Sequence, residues 1–235
     1  MKLPSMMVRG FVFSLVLLSS ASVAVADVVS WTNWTSATDG SVAGTFTAGS
    51  TPVGVTFTGP YMDALISGGG TDYWTPSAPY VSAAVDNAPN ATNPPGTDII
   101  RLNTGGVATI TFSQSVHDPL LALVSWNGNV VDFNTPIEIV SYGHGYWGSG
   151  TPILNAAGDG FTGSGEVHGV IRLPGDFTSF SFSHISEGWH GFTVGVLGLA
   201  GPPEPPVGVP EPATLFLLGT GLVGLGGFVW RHRRG

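Results

Sequence analysis

The side chains that could bind a ligand lie mostly in segments rich in glycine and proline. Large aromatic rings occur there beside polar groups, in the pairs Tyr73-Trp74, Tyr146-Trp147 and Trp189-His190. Flat rings next to polar groups suit the apolar faces of sugars, because Trp and Tyr combine a large apolar area with a polar handle. The alternative is that the same rings pack at the ends of a folded domain. The pattern predicts a glycan-binding surface whose candidate residues are Trp74, Tyr146, Trp147 and Trp189.

The ionisable side chains carry weaker signals for chemistry. His144, His168 and His190 are each followed by glycine, and three imidazoles can hold zinc, but their spacing matches no metal-site motif. Glu138 with Glu166 is a conceivable glycosidase pair, although both lie inside apparent strands, where a solvated carboxylate is the simpler interpretation. No Gly-x-Ser-x-Gly or His-Glu-x-x-His motif occurs. We predict no catalytic residue, no metal ligand and a chain that is not an enzyme.

Calcium is an open alternative to the expectation that no cofactor is bound. Asp39, Asp132 with Asn134, and Asp159 place oxygen ligands in apparent turns. Asp and Asn also favour turns for purely backbone reasons, and no Asp-x-Asp-x-Asp-Gly loop is present.

The composition excludes several classes of function. Cysteine is absent, so disulfides, thiolate nucleophiles and iron–sulfur clusters are excluded. Lys2 is the only lysine and lies in a predicted leader, which excludes Schiff-base chemistry in the mature chain. Residues 27–208 contain ten Asp and four Glu but only two basic residues besides histidine, Arg101 and Arg172. Such an acidic surface repels phosphate backbones, so we predict no nucleic-acid partner.

The segment that must position these side chains has the pattern of an all-β domain. Between residues 27 and 200, short runs of Val, Ile, Thr and Phe are interrupted by Gly, Pro, Asn or Asp every eight to twelve residues. This spacing is typical of a β-sandwich or barrel. We predict a single antiparallel β-sandwich ectodomain over 27–200.

Individual strands and connections can be predicted within this domain. Residues 41–47 and 53–58 form one predicted hairpin, and residues 98–102 and 107–112 form a second. The apolar run 120–126 predicts a buried central strand, with Trp126 in the core. The stretch 59–96 is a long irregular region of the kind that is often functional or poorly ordered.

Both termini carry predicted targeting segments. Residues 1–26 have the pattern of a secretory signal peptide, with positive charge at Lys2 and Arg9 and a cleavage site at Ala24-Val25-Ala26. Residues 201–208 form a proline-rich spacer of extended character.

The tail, residues 209–235, combines three devices in a fixed order. Pro210, Glu211 and Pro212 form an extended segment, because proline fixes φ and lacks a backbone donor. Residues 213–230 carry no charge. As a helix they would span roughly 27 Å, close to a hydrocarbon core of about 30 Å. Arg231, Arg233 and Arg234 would hold the chain end on the cytoplasmic side. The pattern predicts one C-terminal transmembrane helix over 213–230.

This tail resembles the PEP-CTERM sorting signal of Gram-negative bacteria. The resemblance implies that an exosortase, a membrane-embedded transpeptidase, recognises Pro210-Glu211-Pro212, and that the protein is then transferred to the cell surface or extracellular matrix. It also implies an association with exopolysaccharide and biofilm. An ordinary single-span anchor with a proline-rich stalk is the alternative explanation.

The ectodomain also resembles other ectodomains that carry such a tail. The similar passages are residues 31–57, 121–127, 166–171 and 189–195. This resemblance implies a jelly-roll-like sandwich and no settled activity. Together the patterns predict an exported, non-enzymatic surface or matrix protein, transiently anchored in the inner membrane. The alternatives are a carbohydrate-binding module and, less favoured, a polysaccharide hydrolase.

Overall fold

The computed structural model describes residues 28–81, 94 and 96–201. The predicted signal peptide, nearly all of the proline-rich spacer and the sorting tail lie outside these residues. Within the described part of the chain, no helix is long and apolar enough to span a bilayer. The transmembrane helix predicted at 213–230 lies outside it.

All regular secondary structure in the described residues is β-strand, and every strand pair is antiparallel. This confirms the all-β, antiparallel class. The strands are β1 Ser30–Trp31, β2 Asn33–Thr38, β3 Ser41–Ala48, β4 Thr51–Thr58, β5 Asp63–Leu65, β6 Ile99–Leu102, β7 Gly106–Val124, β8 Val130–Asp132, β9 Glu138–Tyr142, β10 Gly150–Leu154, β11 Gly160–Gly165, β12 Gly169–Arg172, β13 Asp176–His184 and β14 His190–Leu199.

Strand β7 connects two arms of one large sheet. Its first half pairs with β4 and β13, and this first arm continues through β3 and β2 on one side and through β8, β11 and β10 on the other. Its second half pairs with β12 and β14, and this second arm adds β9, β6, β5 and β1. The pairing of β7 with β13 shifts between Phe177 and Ser179. Such a bulge bends a strand, which is consistent with β7 serving both arms.

Three predictions about the strands can now be judged. The hairpin of β3 and β4 forms as expected, with Ala48 opposite Thr51. The second predicted hairpin is wrong, because β6 pairs with β14 and β5 instead of β7. The apolar run that begins at Leu120 is not a separate strand but the second half of β7. Local alternation defined the apolar runs, but partner choice depended on long-range packing.

The main core joins apolar side chains from both arms. It contains Phe57 and Ile110 of the first arm together with Leu121 and Phe192 of the second. Trp126 is fully buried in it, and its indole nitrogen donates to the Gly191 carbonyl at 2.8 Å. The assignment of Trp126 to the core is therefore confirmed.

A second core covers the outer face of the second arm. Leu120, Ala122 and Val124 alternate with the side chains that point into the main core, so the second half of β7 is apolar on both faces. A strand of that kind needs cover on both sides. The cover comes from residues 28–31 and from the connection 66–81, which contributes Trp74 and Tyr80. The long region 59–96 therefore has a packing role over its first part. Residues 82–93 and 95 lie outside the described chain.

Candidate functional site

Four aromatic side chains from three connections meet at one surface. Tyr73 comes from the 66–81 connection, Tyr146 and Trp147 from the loop between β9 and β10, and Trp189 from the residue before β14. Ring centroids of Trp147 and Trp189 lie 4.4 Å apart, and Tyr73 lies 4.9 Å from Trp189 and 5.1 Å from Tyr146. Tyr146 and Trp147 remain 42 % and 45 % exposed. We call these four residues the aromatic cluster.

The loop that carries Tyr146 and Trp147 is held by two glycines. Gly145 and Gly148 exchange backbone hydrogen bonds of 2.8 and 3.3 Å. Gly145 also packs directly on the His168 ring, since a Cβ at this position would lie 2.2 Å from the ring carbon Cγ. Only a residue without a side chain fits there, and the close approach sets the position of the two rings that follow.

A cavity of about 410 Å³ opens beside the aromatic cluster. Its lining combines two carboxylates, two indoles and small polar groups, and the residues are Ser125, Asn127, Trp147, Glu166, Glu187, Gly188 and Trp189. This volume lies within the range of roughly 300–1,000 Å³ that is usual for small-molecule sites.

The two carboxylates of the cavity are held by Asn127 and its neighbours. Glu166 accepts hydrogen bonds from the Ser125 hydroxyl and from Asn127 Nδ2, the latter at 3.0 Å. Glu187 accepts from the Asn127 backbone N–H at 3.1 Å and from Asn129 Nδ2 at 2.7 Å. Asn127 therefore connects both acids. Two residues before Asn127, Ser125 adopts a left-handed φ of 59°, a backbone conformation that is uncommon for a residue other than glycine.

The environment of Glu187 favours its neutral form. Burial raises its pKa to about 7, the hydrogen bonds from Asn129 and Asn127 counter part of that effect, and the nearby charge of Glu166 raises the pKa further. Near neutral pH this carboxyl group is therefore divided between its acid and its carboxylate.

A buried histidine pair lies behind Glu187. His190 Nε2 is 3.1 Å from His184 Nδ1, and His190 Nδ1 is 3.8 Å from Glu187 Oε2. Burial, followed by the charge of His184, lowers the pKa of His190 to about 3. The imidazole is neutral at physiological pH and provides no positive charge behind the acid.

The three histidines followed by glycine do not converge. His144 is exposed, and His190 belongs to the pair with His184. His168 is buried under Gly145, with its Nδ1 3.2 Å from the Tyr80 hydroxyl, and burial lowers its pKa to about 4. Within the described ranges, no group of three or more His, Cys, Asp or Glu side chains could hold a metal ion.

The other acidic candidates have local structural partners. Glu138 forms an ion pair with Arg172 of the neighbouring strand, whereas Glu166 lies in the lining of the cavity. Asp132 Oδ1 accepts from the Asn134 backbone at 3.0 Å, and Asp159 Oδ1 accepts from Asn155 at 2.8 Å. These bonds stabilise turns, which is the backbone role expected of Asp in such positions.

One predicted glycan-binding residue has to be corrected. Trp74 is fully buried in the second core, where its ring meets Tyr80 at 5.1 Å, so it presents no face to a ligand. Tyr146, Trp147 and Trp189 lie together at the cavity and stay candidates.

The residues that the sequence did not reveal are Ser125, Asn127, Asn129 and Glu187. The Asn127-Gly128 pair is a strong turn signal, and it could have located Ser125, Asn127 and Asn129. The proximity of Glu187 to that turn depends on the pairing of β7 with β14.

Fold and site together define a class: an all-β domain with an open acidic and aromatic cavity, followed by a C-terminal tail. The tail is the part that a known family describes. The PEP-CTERM protein-sorting motif matches residues 208–234, so the chain carries a sorting signal of this type. No curated protein and no solved structure matches the chain. The motif indicates an exported protein that is transiently anchored in the membrane and processed by an exosortase.

Proposed function

We propose that this chain is a non-enzymatic surface or matrix protein that binds a saccharide of the extracellular polysaccharide. The sorting motif at 208–234 supports delivery to that location. The observation that carries the binding proposal is the cavity, in which Trp147 and Trp189 stand beside Glu166 and Glu187.

The proposed life history follows the order of the segments. The signal peptide 1–26 directs export and is cut after Ala26. The helix 213–230 then holds the chain in the inner membrane of a Gram-negative cell, with Arg231, Arg233 and Arg234 on the cytoplasmic side. The exosortase acts near Pro210-Glu211-Pro212, and the jelly-roll-like sandwich reaches the surface or the biofilm matrix.

The sorting step can be tested with a matched pair of variants. Pro203-Glu204-Pro205 repeats the tripeptide upstream but lies outside residues 208–234. Replacing Pro210, Glu211 and Pro212 with alanine should leave an unprocessed chain in the membrane, measured by intact mass and cell fractionation. The same replacement at 203–205 should leave processing unchanged. Normal processing of the first variant would contradict the sorting role.

Saccharide binding can be tested on a glycan array. The full chain should bind a subset of glycans, and Trp147→Ala should weaken that binding, whereas binding that this change leaves unaltered would contradict the proposed site. Calcium, the open alternative, is tested by repeating the array with a chelator.

A polysaccharide hydrolase is the competing function, and Glu166 with Glu187 would be its acids. Neutral and ionised carboxyl groups in one site are what such chemistry uses. Incubation with the host's own exopolysaccharide, followed by an assay for new reducing ends, distinguishes the two functions. Turnover that disappears in Glu187→Gln would replace the non-enzymatic proposal.

A further inference from the structure

We infer that the cavity accepts a hexosamine unit that carries a free, protonated amino group. This inference rests on the saccharide binding proposed above and specifies the class of sugar. Three features of the cavity support it: its uncompensated negative charge, the direction of its hydrogen-bond donors and the placement of its aromatic rings.

The first feature is the charge of the lining. Glu166 and Glu187 are its ionisable members, and none of the lining residues is basic. The nearest buried base behind Glu187 is His190, which is neutral for the reasons given above. Glu187 is only partly ionised near neutral pH in the free protein, and a ligand that carries positive charge would favour its ionised form and supply the counter-charge that this wall lacks. Uronic acids and sulfated sugars would be repelled by the same wall.

The second feature is that three polar donors of the wall point at the carboxylates. The Ser125 hydroxyl and Asn127 Nδ2 donate to Glu166, while the Asn127 backbone N–H donates to Glu187. Each carboxylate oxygen has two acceptor positions, so acceptor capacity is left over. A ligand that brings donors can use this capacity. An ammonium group offers three donors and no acceptor, and an N-acetyl group offers only one N–H.

The third feature is the pair of indoles at the mouth of the cavity. Trp147 and Trp189 are 4.4 Å apart and tilted by 73°, so they present two differently oriented ring faces and edges. Aromatic faces attract cations, and the attraction grows when the cation is desolvated. They also offer apolar area to the faces of a pyranose ring. An amino sugar uses both properties in one rigid unit.

A basic peptide is the other class of ligand that carries an ammonium group. A lysine side chain loses much rotamer entropy when it is immobilised. An amine fixed on a sugar ring is preorganised and avoids most of that cost. The exposed Tyr146 and Trp147 extend the aromatic surface beyond the cavity, which suits a chain of linked sugar rings.

The test compares ligands that differ only at nitrogen. The full chain, held in a detergent without a sugar headgroup, is titrated calorimetrically at pH 7 with β-linked glucosamine tetramer and with its fully N-acetylated form. Nα-acetyl-lysine methylamide is the peptide probe. We expect the free-amine tetramer to bind at least about tenfold more tightly than either alternative.

Variants assign the effect to the cavity. Glu166→Gln should remove most of the preference for the free amine, and Trp147→Ala should weaken binding of both tetramers. Trp147 is half exposed, so this variant keeps the inference testable if Glu166→Gln fails to fold. Asp39→Asn is the control, because it removes one negative charge in the β2–β3 turn, where Asn-Gly is as favourable as Asp-Gly. It should leave the affinities unchanged.

The outcomes separate this inference from the proposed function. Equal or tighter binding of the N-acetylated tetramer would overturn the amino-sugar inference while leaving saccharide binding intact. Tighter binding of the lysine probe would replace the sugar with a basic peptide. Binding of neither tetramer nor any arrayed glycan would overturn both proposals.

Discussion

The molecule contains two tyrosine–tryptophan pairs in similar connections, and the two tryptophans differ in burial. In Tyr73-Trp74 the tryptophan is fully buried, whereas in Tyr146-Trp147 it is 45 % exposed beside the cavity. The two tyrosines nevertheless meet, with ring centroids 5.1 Å apart. We call the surroundings of Trp74, Tyr80 and His168 the covered region, and the cavity with Trp147 and Glu187 the open region.

The difference shows that the role of an aromatic pair depends on what lies beneath it. The 66–81 connection crosses an apolar face of the second arm, so Trp74 has Leu120, Ala122 and Val124 to cover. The 143–149 loop is closed by the Gly145–Gly148 contact at the rim of an acidic cavity. Burial of Trp74 stabilises the fold, and exposure of Trp147 leaves a ring for a ligand.

The largest expected effect comes from truncating each tryptophan. Trp74→Ala removes a fully buried indole and should lower the free energy of unfolding by about 3–5 kcal/mol. Trp147→Ala should change it by less than about 1 kcal/mol, because half of that ring already faces solvent. Urea denaturation of both variants measures the contrast, and equal losses would erase the distinction between the regions.

A smaller loss is expected where the two regions touch. In Gly145→Ala the new Cβ would fall 2.2 Å from His168 Cγ, so the loop must move away from the histidine. Overpacking of this kind costs about 2–3 kcal/mol. The matched control is Gly143→Ala, whose Cβ would sit at an ordinary 3.7 Å from Pro79. Thermal unfolding should separate the two variants, and a neutral Gly145→Ala would contradict the description of the loop.

Opposite pH dependences should distinguish the regions. Glu187, facing Glu166 and His190, has a native pKa raised to about 7, so its stabilising contribution is present in acid and is lost as the pH rises through 7. His168, facing Glu166, His144 and Tyr80, has a native pKa lowered to about 4. Its contribution is therefore present above pH 6.5 and is lost as the pH falls.

The sign for Glu187 can be checked with one variant. Because Glu187→Gln cannot ionise, the stability of the native protein relative to this variant should fall by about 2 kcal/mol between pH 5 and pH 8. Denaturant unfolding across that range measures the difference. A difference that stays constant with pH would show that Glu187 titrates normally.

The smallest effect is expected from a single hydroxyl in the covered region. The Tyr80 hydroxyl donates to the Leu123 carbonyl at 3.0 Å and lies 3.2 Å from His168 Nδ1. Tyr80→Phe keeps the ring and should cost about 1–2 kcal/mol by leaving these groups without that partner. Tyr142→Phe, at an exposed position, is the control. Loss of glycan binding in Tyr80→Phe without loss of stability would contradict the separation of the two regions.

Part of the fold could be predicted because strand patterns are local. The alternation at 41–47 and 53–58 specified both strands and their hairpin. The prediction of the second hairpin was wrong because β6 does not pair with β7 and pairs instead with β14. This pairing joins residues that are far apart in the chain. For the site, Tyr146, Trp147 and Trp189 were predicted from their type, whereas Glu187 was missed because its partners, Asn127 and Asn129, are 60 and 58 residues away.

The amino-acid sequence by itself determined the all-β class and the sorting tail. Both depend on periodicity, charge and proline geometry within short segments, which need no distant partner. The tertiary structure alone decided which tryptophan is covered and which acids share a cavity. The physical reason is long-range pairing: the second half of β7 carries the apolar face that Trp74 covers, and the residues that follow this strand, Ser125 to Asn129, hold Glu166 and Glu187, which come from distant parts of the chain.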